Sequence, residues 1–475
     1  MTEGDFQLTS FSQNRHSILS SNLENNIHLV EEAMTYTEDL TKRYLTIDNK
    51  KMIILYISSL VDKVALANEV IQPLLKSQNS PVQELIYAPD YEKTNFLQNV
   101  VLGLLDGNSV LLMENDVEAV LIPLPTTDDR AIEEPSGEKL IKGAHDGFTE
   151  SAEKNIFLIR RRIKNPNLRV QNFVIGKATR TDVKVIYLDN LVNPTILAEL
   201  KRRISNIKVD ELLSGGELEE LIEDNSYSPF PQLLTTERPD RATSYLLEGK
   251  IAVIVNGTPS AILLPVTFIS YYQSPDHYNS RWIIGSFFRI LSFISFLISI
   301  SLPAIYIATV TFHSDILPLW ILYSIKVQIQ FLPLTPFMEA VLMQLTLELL
   351  KEAAIRLPSP IAQTIGIVGG LVIGTAVVEA GFISNTMIVV IGLTAISSFV
   401  APTNQIGTAA RFISFPIMIA ANLFGFVGIV LALTVLSIHL CKLHSFGESY
   451  LYPFSPLDLK GLKDSFYRGK KDMNP

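Results

Sequence analysis

Between Gln363 and Phe382 the chain reads QTIGIVGGLVIGTAVVEAGF, a β-branched apolar run in which Gly366, Gly370 and Gly374 recur every fourth residue. Each glycine costs a helix about 1 kcal/mol relative to alanine, so three in register need a compensating use. Residues four apart share one helix stripe, and these glycines form a groove without side chains, two overlapping G-x-x-x-G units. In lipid such a face lets backbones approach closely and gain dispersion contact. A second stripe runs around the same helix: Thr364, Val368, Val372, Thr375 and Glu379, polar at its start, aliphatic in the middle and acidic at its end. A ring of identical helices packed through the glycines would turn that stripe to its axis, giving a pore with an aliphatic constriction and a carboxylate mouth. Apolar constrictions gate by dewetting, and acidic rings favour cations. The same glycines could instead pack against other helices of one chain, leaving Glu379 as an interfacial residue.

No other stretch selects a reaction. The chain holds no GxxxxGK[ST], GxSxG, HExxH or CxxC, so no catalytic residue, metal ligand set or cofactor is expected, and the protein is not expected to be an enzyme. The polar stretch DDRAIEEPSGEKLIKGAHDGFTES gathers Glu133, Glu134, His145 and Asp146. An acid–base or metal site could be built from them, but no spacing selects one, and a linker is the simpler reading. LIRRRIKNPNLRV, with Arg160, Arg161, Arg162 and Lys164, reads as a solvated helix face, with a subunit or headgroup contact as the alternative. Glu348, Glu352 and Arg356 are charges inside or beside apolar helices, functional candidates by position or else charges that only solvate an amphipathic helix, with Glu352 and Arg356 spaced as an i,i+4 pair. Cys441 stands alone and cannot form an internal disulfide.

The elements that must position these residues change character at Arg281. Over 475 residues the net charge is −9, which argues against nucleic-acid binding. Residues 1–281 hold 28 Lys and Arg against 39 Asp and Glu, whereas 282–475 hold 11 against 9 spread over long apolar stretches. Four segments are long enough to cross about 30 Å of hydrocarbon: Ile284–Thr311, Ile361–Ala380, Asn385–Ala401 and Ile413–Cys441. Between the first two, breaks at Pro333 and Pro336 predict two amphipathic helices lying in the interface, re-entrant, or packed inside an assembly. No apolar leader opens the chain. The tail carries Lys460, Lys463, Arg468, Lys470 and Lys471, so it is expected in the cytoplasm, and an even number of spans puts the N-terminal half there too.

The soluble half repeats itself. MIILYISSLVDKVALANEVIQPLL (Met52–Leu75) resembles VKVIYLDNLVNPTILAELKRRI (Val183–Ile204): Tyr56 matches Tyr187, Leu60-Val61 matches Leu191-Val192, and Asp62 matches Asn193. LLDGNSVLLMENDVEAVLIPLP (Leu104–Pro125) resembles LLEGKIAVIVNGTPSAILLPVTF (Leu246–Phe268), each a helix end, a glycine turn and a hairpin. The offsets, 131 and 142, place an insertion in the second copy, at SGGELEELIEDNS. The expected fold is an α/β soluble N-terminal region of two related subdomains followed by an α-helical multi-span membrane domain. Its expected parts are a loosely ordered segment 1–34, subdomains 35–130 and 155–281 joined by linker 131–154, a membrane domain 282–441 and a basic tail 442–475.

EPSGEKLIKGAHDGFTES, RRRIKNPNL, PFPQLLTTERPDR, LLEGKIAVIVNGTPSAILLPVTF, EAAIRLPSPIAQTIGIVGGLVIGTAVVEAG and SSFVAPTNQIGTAAR, in this order, closely resemble the A-subunit family of GerA-type spore germinant receptors. The resemblance runs from about residue 40 to about residue 450. It implies a multi-pass protein of the spore inner membrane in an endospore-forming bacterium. It further implies a homo-oligomer, a pentamer, acting with a transporter-like B subunit that binds the nutrient and a lipoprotein C subunit. The family's activity would be a nutrient-gated channel for monovalent cations, its pore helix matching the glycine-rich segment. A non-conducting scaffold that relays nutrient binding is the alternative.

Overall fold

The computed structural model describes residues 17–47, 50–76, 90–126, 134–135, 137–138, 142–357, 374–458 and 461–465. The chain divides into two units. Met1–Leu140, Ala144–Glu223 and Leu233–Pro265 form the first; Ile141–Gly143, Asp224–Gln232 and Val266–Pro475 form the second.

The first unit is one fold made twice. Helix α1 (Leu23–Ala33) leads into β1 (Leu40–Ile47) and β2 (Lys50–Ile57). Helix α2 follows in three consecutive pieces, Lys63–Ala65, Leu66–Ile71 and Gln72–Lys76, the middle one π-wound. Then come β3 (Glu92–Thr94), α3 (Leu97–Leu105), β4 (Asn108–Met113) and β5 (Ala119–Pro123). The second copy runs α4 (Ala152–Arg162), β6 (Leu168–Ile175), β7 (Thr181–Leu188), α5 (Pro194–Asn206), α6 (Gly215–Ile222), β8 (Leu234–Thr236), α7 (Pro239–Leu247), β9 (Ile251–Val255) and β10 (Ala261–Leu264). The sheets are ordered β1-β2-β4-β5-β3 and β6-β7-β9-β10-β8, and every neighbouring strand pair in them is antiparallel. Helix α6 lies in the stretch where the two offsets require an insertion.

The central strands read as apolar runs rather than alternations because helices cover both faces. Ile53, Leu55 and Ile57 pack in one core with Leu23, Ile27 and Val30 of α1 and Val100 and Leu104 of α3. Met52 and Ile54, on the opposite face, pack with Leu66, Val70 and Leu74 of α2. The matched Asp62 and Asn193 do the same work: Asp62 accepts from Val64 and Ala65 N–H, and Asn193 from Thr195 N–H, at the first turns of α2 and α5.

Residues 23–33, expected in a loosely ordered segment, form α1 instead and bury Leu23, Ile27 and Val30. This helix is the counterpart of α4, and an identical side-chain bracket marks the pair. Asn26 Oδ1 accepts from Ser20 N–H (2.8 Å) and Nδ2 donates to Ser20 O (2.6 Å); Asn155 makes the same two bonds with Thr149 (2.7 and 2.6 Å).

In the second unit, a short helix α8 (Pro275–Asn279) precedes α9 (Trp282–Thr311), α10 (Leu319–Ile329), α11 (Pro336–Ile355), α12 (Gly374–Glu379), α13 (Asn385–Phe399) and α14 (Asn404–Lys442). A two-strand hairpin, β11 (His444–Ser445) and β12 (Glu448–Ser449), and a 3-10 turn at Gly461–Asp464 follow. Helices α9 and α14 are long and apolar enough to cross a membrane. Of the expected segments, Ile284–Thr311 lies within α9 and Ile413–Cys441 within α14. The third gives the 15-residue α13, and most of Ile361–Ala380 lies outside the described residues. The prolines separate α10 from α11 as the sequence predicts, with Thr335 accepting from Met338 N–H at the start of α11. At about 1.5 Å per residue the 39 residues of α14 would far exceed a bilayer core. The helix breaks at Gly425 (φ 60°, ψ −140°), where a Cβ would come within 2.9 Å of the His313 ring.

Gly107 (φ +88°) and Gly249 (φ +80°) end α3 and α7 at matched positions. A Cβ would approach the carbonyl oxygen of Leu60 to 3.0 Å at the first and that of Leu191 to 2.5 Å at the second. Gly249→Ala therefore carries both backbone strain and a clash with a carbonyl that cannot rotate away, a cost of about 2–3 kcal/mol. Gly257→Ala (φ +92°, nothing within 4 Å) carries strain alone, about 1 kcal/mol. Thermal melting of the two variants in detergent, compared with wild type, checks the order.

Candidate functional site

Thr364, Gly366, Val368, Gly370 and Val372 lie outside the described residues. Gly374, Thr375 and Glu379 stand on α12, with Thr375 and Glu379 exposed. A Cβ built on Gly374 meets nothing within 4 Å, so at this glycine no described part of the chain fills the groove.

Helices α9, α13 and α14 bury polar side chains among apolar ones and expose large apolar side chains. On α9 the buried face carries Arg289, Ser292, Ser295 and Ser299, while Phe287, Phe288, Ile294 and Leu297 are exposed. On α13 Thr394 and Ser398 are buried and Val389, Leu393 and Ile396 exposed; on α14 Arg411 and Ser414 are buried and Leu423, Val427 and Val435 exposed. Large contiguous apolar surface is untenable in water and expected in hydrocarbon. Many hydroxyls are satisfied within their own helix by donating to the carbonyl four residues back: Ser286 to Trp282, Ser292 to Phe288, Thr309 to Ile305, Thr394 to Val390 and Thr434 to Val430. This surface, with two helices long and apolar enough to cross a membrane, fits association with a membrane.

One ion pair links two helices of the unit. Glu352 and Arg356 form an exposed pair within one turn of α11 (2.6 Å), whereas Glu348 reaches Arg411 Nε on α14 (2.6 Å). Arg411 is 7% exposed, donates to Thr408 Oγ1 (3.0 Å) and lies 6.0 Å from the Phe399 ring centre, over which Lys351 also sits (5.5 Å). Sequence reading passed over Arg411, though a single arginine in an apolar helix is itself the signal. It also passed over Glu339, which is fully buried at the start of α11 and accepts from Ser384 N–H, the residue that caps α13 (2.8 Å).

In the first unit the charged motifs turn inward. Arg160, read from the sequence as part of a solvated face, is 1% exposed. Its Nε and Nη2 bind the two oxygens of Asp39 (2.6 and 2.8 Å), and Nη2 also reaches Thr37 Oγ1 and Leu168 O. Arg162 and Arg161 pair with Asp146. In TTERPDR, buried Arg238 binds Asp240 and the carbonyls of Glu138 and Ala144, while Arg241 binds the Glu138 carboxylate (2.7 Å), which also accepts from Thr236 Oγ1. These arginines clasp the polar stretch 138–146 to α7. His145 lies 3.0 Å from Glu134; Glu133 lies outside the described residues, among which no three His, Cys, Asp or Glu gather as metal ligands.

The profile of the Bacillus/Clostridium GerA spore germination protein family matches residues 28–474. The chain belongs to this family. It is 36% identical over 470 residues to spore germination protein KA of Bacillus subtilis (strain 168), covering 96% of this chain and 86% of the relative. It is 36% identical to spore germination protein GerLA of Bacillus cereus, covering 96% and 94%. It is 34% identical to the uncharacterized membrane protein YfkQ of Bacillus subtilis, covering 97% and 91%. The crystal structure of the N-terminal domain of the A subunit of the Bacillus megaterium spore germinant receptor GerK3 aligns at 29% identity and a TM-score of 0.42, over 53% of this chain and 98% of that one.

Two expectations follow for this GerA-family chain. Asp39→Ala leaves the Arg160 guanidinium buried without its counter-charge and costs about 3–5 kcal/mol, whereas removing both charges together costs less than the sum of the single losses. A double-mutant cycle on melting free energies tests this. The second concerns His277 of α8, whose imidazole is held down to about 4 by burial and then by the Arg289 guanidinium. Its folded value lies below that of the unfolded chain, about 6.5. The stabilisation is therefore whole above 6.5 and is lost at up to about 1.4 kcal/mol per pH unit as pH falls toward 4. His277→Gln should flatten that part of the profile of melting temperature against pH.

Proposed function

We propose that this chain is the A subunit of a nutrient-germinant receptor in the spore inner membrane. In this reading it oligomerises as a pentamer into a channel for monovalent cations, gated by nutrient bound to a transporter-like B subunit and assisted by a lipoprotein C subunit. The observation that carries the reading is the extensive exposed apolar surface of the helical unit. It is supported by membership of the GerA family over nearly the whole chain and by the unfilled face at Gly374. A glycine that no described part of the chain covers, as at Gly374, is suited to the same helix of a neighbouring copy. The stripe Thr364, Val368, Val372, Thr375 and Glu379 would then face the axis, with the valines as the dewetting constriction and Glu379 drawing cations to one mouth. The membrane unit would cross the bilayer four times, with α10 and α11 interfacial or re-entrant and both termini in the cytoplasm.

Gating needs a ligand state that prefers one channel conformation, since only differential affinity moves the equilibrium. A groove of glycines lets packed helices rotate or slide with little steric resistance, carrying Val368 and Val372 off the axis. Potassium efflux from vesicles holding the chain and its partner subunits tests this. Wild type should release potassium only with nutrient, Val368→Ala should leak without it, and Gly370→Leu should lose assembly. Nutrient binding without efflux in either conducting variant would leave a signalling scaffold.

A further inference from the structure

Glu339 sits where a charge is hardest to keep. The residue is fully buried, its Oε2 accepts from Ser384 N–H at 2.8 Å, and its Oε1 is buried with no hydrogen-bond partner. Ser384 is the N-cap of the 15-residue α13, its own Oγ accepting from Met387 N–H. The Tyr306 side chain of α9 borders both Ser384 and Glu339. The helix N-terminus provides partial positive charge of about half a unit, but it is engaged through one oxygen only.

Among the described residues no full cation is paired with it. Helix α13 has no charged side chain, and the only charged group of α9, Arg289, precedes Tyr306 by about 25 Å of helix. His313, beyond the end of α9, lies against Ala308 O and the Phe426 ring. On α14, Arg411 is bound to Glu348, and His439 and Lys442 lie at the far end. On α11 itself, Lys351 lies over Phe399 and Glu352 is paired with Arg356. Glu379 on α12 is exposed. An isolated carboxylate moved out of water costs several kcal/mol even after relaxation, and such a group takes up a proton instead.

We propose that Glu339 is a proton-binding site inside the helical unit, carrying a proton on Oε1 while α11 and α13 are packed together. The protonated carboxyl matches the geometry: Oε2 is the carbonyl that accepts from Ser384 N–H, and Oε1 is the hydroxyl. When the two helices part and water enters, the proton passes to water and the carboxylate is hydrated. Protons are then a ligand of the packed state, and acid favours it.

The test does not depend on whether the chain conducts. The full chain, reconstituted in phosphatidylglycerol–phosphatidylcholine vesicles at neutral pH, is examined by infrared spectroscopy for the C=O stretch of a protonated carboxyl. The expected result is a band that Glu339→Gln removes and the control Glu352→Gln leaves in place. A band unchanged by Glu339→Gln, or no band in wild type, overturns the proposal. If the glutamine variant does not fold, wild-type chain labelled with 13C-glutamate serves: the band must shift, and an unshifted band overturns it equally.

Discussion

A single buried guanidinium joins the two copies of the soluble fold. Arg160 extends from α4 of the second copy to Asp39 at the start of β1 in the first, and also binds Thr37 Oγ1 and Leu168 O. Thr37 in turn accepts from Val170 N–H, and Glu38 N–H donates to Val170 O, so the turn before β1 is bonded along β6. Taking both charges out of water costs several kcal/mol, and their attraction recovers that cost only with complete hydrogen bonding. What such a pair fixes is geometry: any shift between the copies would strand a buried ion. The paired sheets thus have one permitted arrangement rather than a family of them.

In the helical unit the corresponding constraint comes from the solvent outside. With hydrocarbon on the exposed face, apolar burial gives the helices no reason to associate, and association must come from close packing and polar contact. Hydroxyls that bond back to their own helix cost little there. The groups that cannot be satisfied locally are the ones that tie helices together: Glu348 binds α11 to α14 through Arg411, and Glu339 binds α11 to α13 through Ser384. Helix α11 is therefore held at two points by polar contacts, an ion pair to α14 and a hydrogen bond to the first turn of α13.

The charged motifs through which the chain resembles its family are largely scaffolding. RRRIKNPNL reads as a solvated face or a subunit or headgroup contact, yet its Arg160 and Arg162 bind Asp39 and Asp146; the arginines of TTERPDR likewise bind Asp240, Glu138 and the backbone of residues 138 and 144. Nothing in their spacing sets them apart from a functional basic patch. Only the identity of the partner does so.

The sequence by itself determined what neighbouring residues determine. The two offsets mark a duplicated fold, and the structure gives both copies the same strand order. Asp62 and Asn193 were legible as one position and are both helix caps, and the glycines before the hairpins, Gly107 and Gly249, have positive φ. The prolines at 333 and 336 separate two helices, and the long apolar stretches give α9 and α14. All of these are local chemistry: periodicity, capping and turn preference act within a few residues. The tertiary structure alone decided which of three consecutive arginines is buried, because Asp39 lies more than a hundred residues before Arg160. It decided that α1 belongs to the core, since four spaced apolar residues among polar ones say little until a sheet covers them. It decided that α14 breaks at Gly425 rather than at Pro416, and that Glu348 and Glu339 meet Arg411 and Ser384. Charge attracts through space and not along the chain, so its partners are invisible until the fold brings them together.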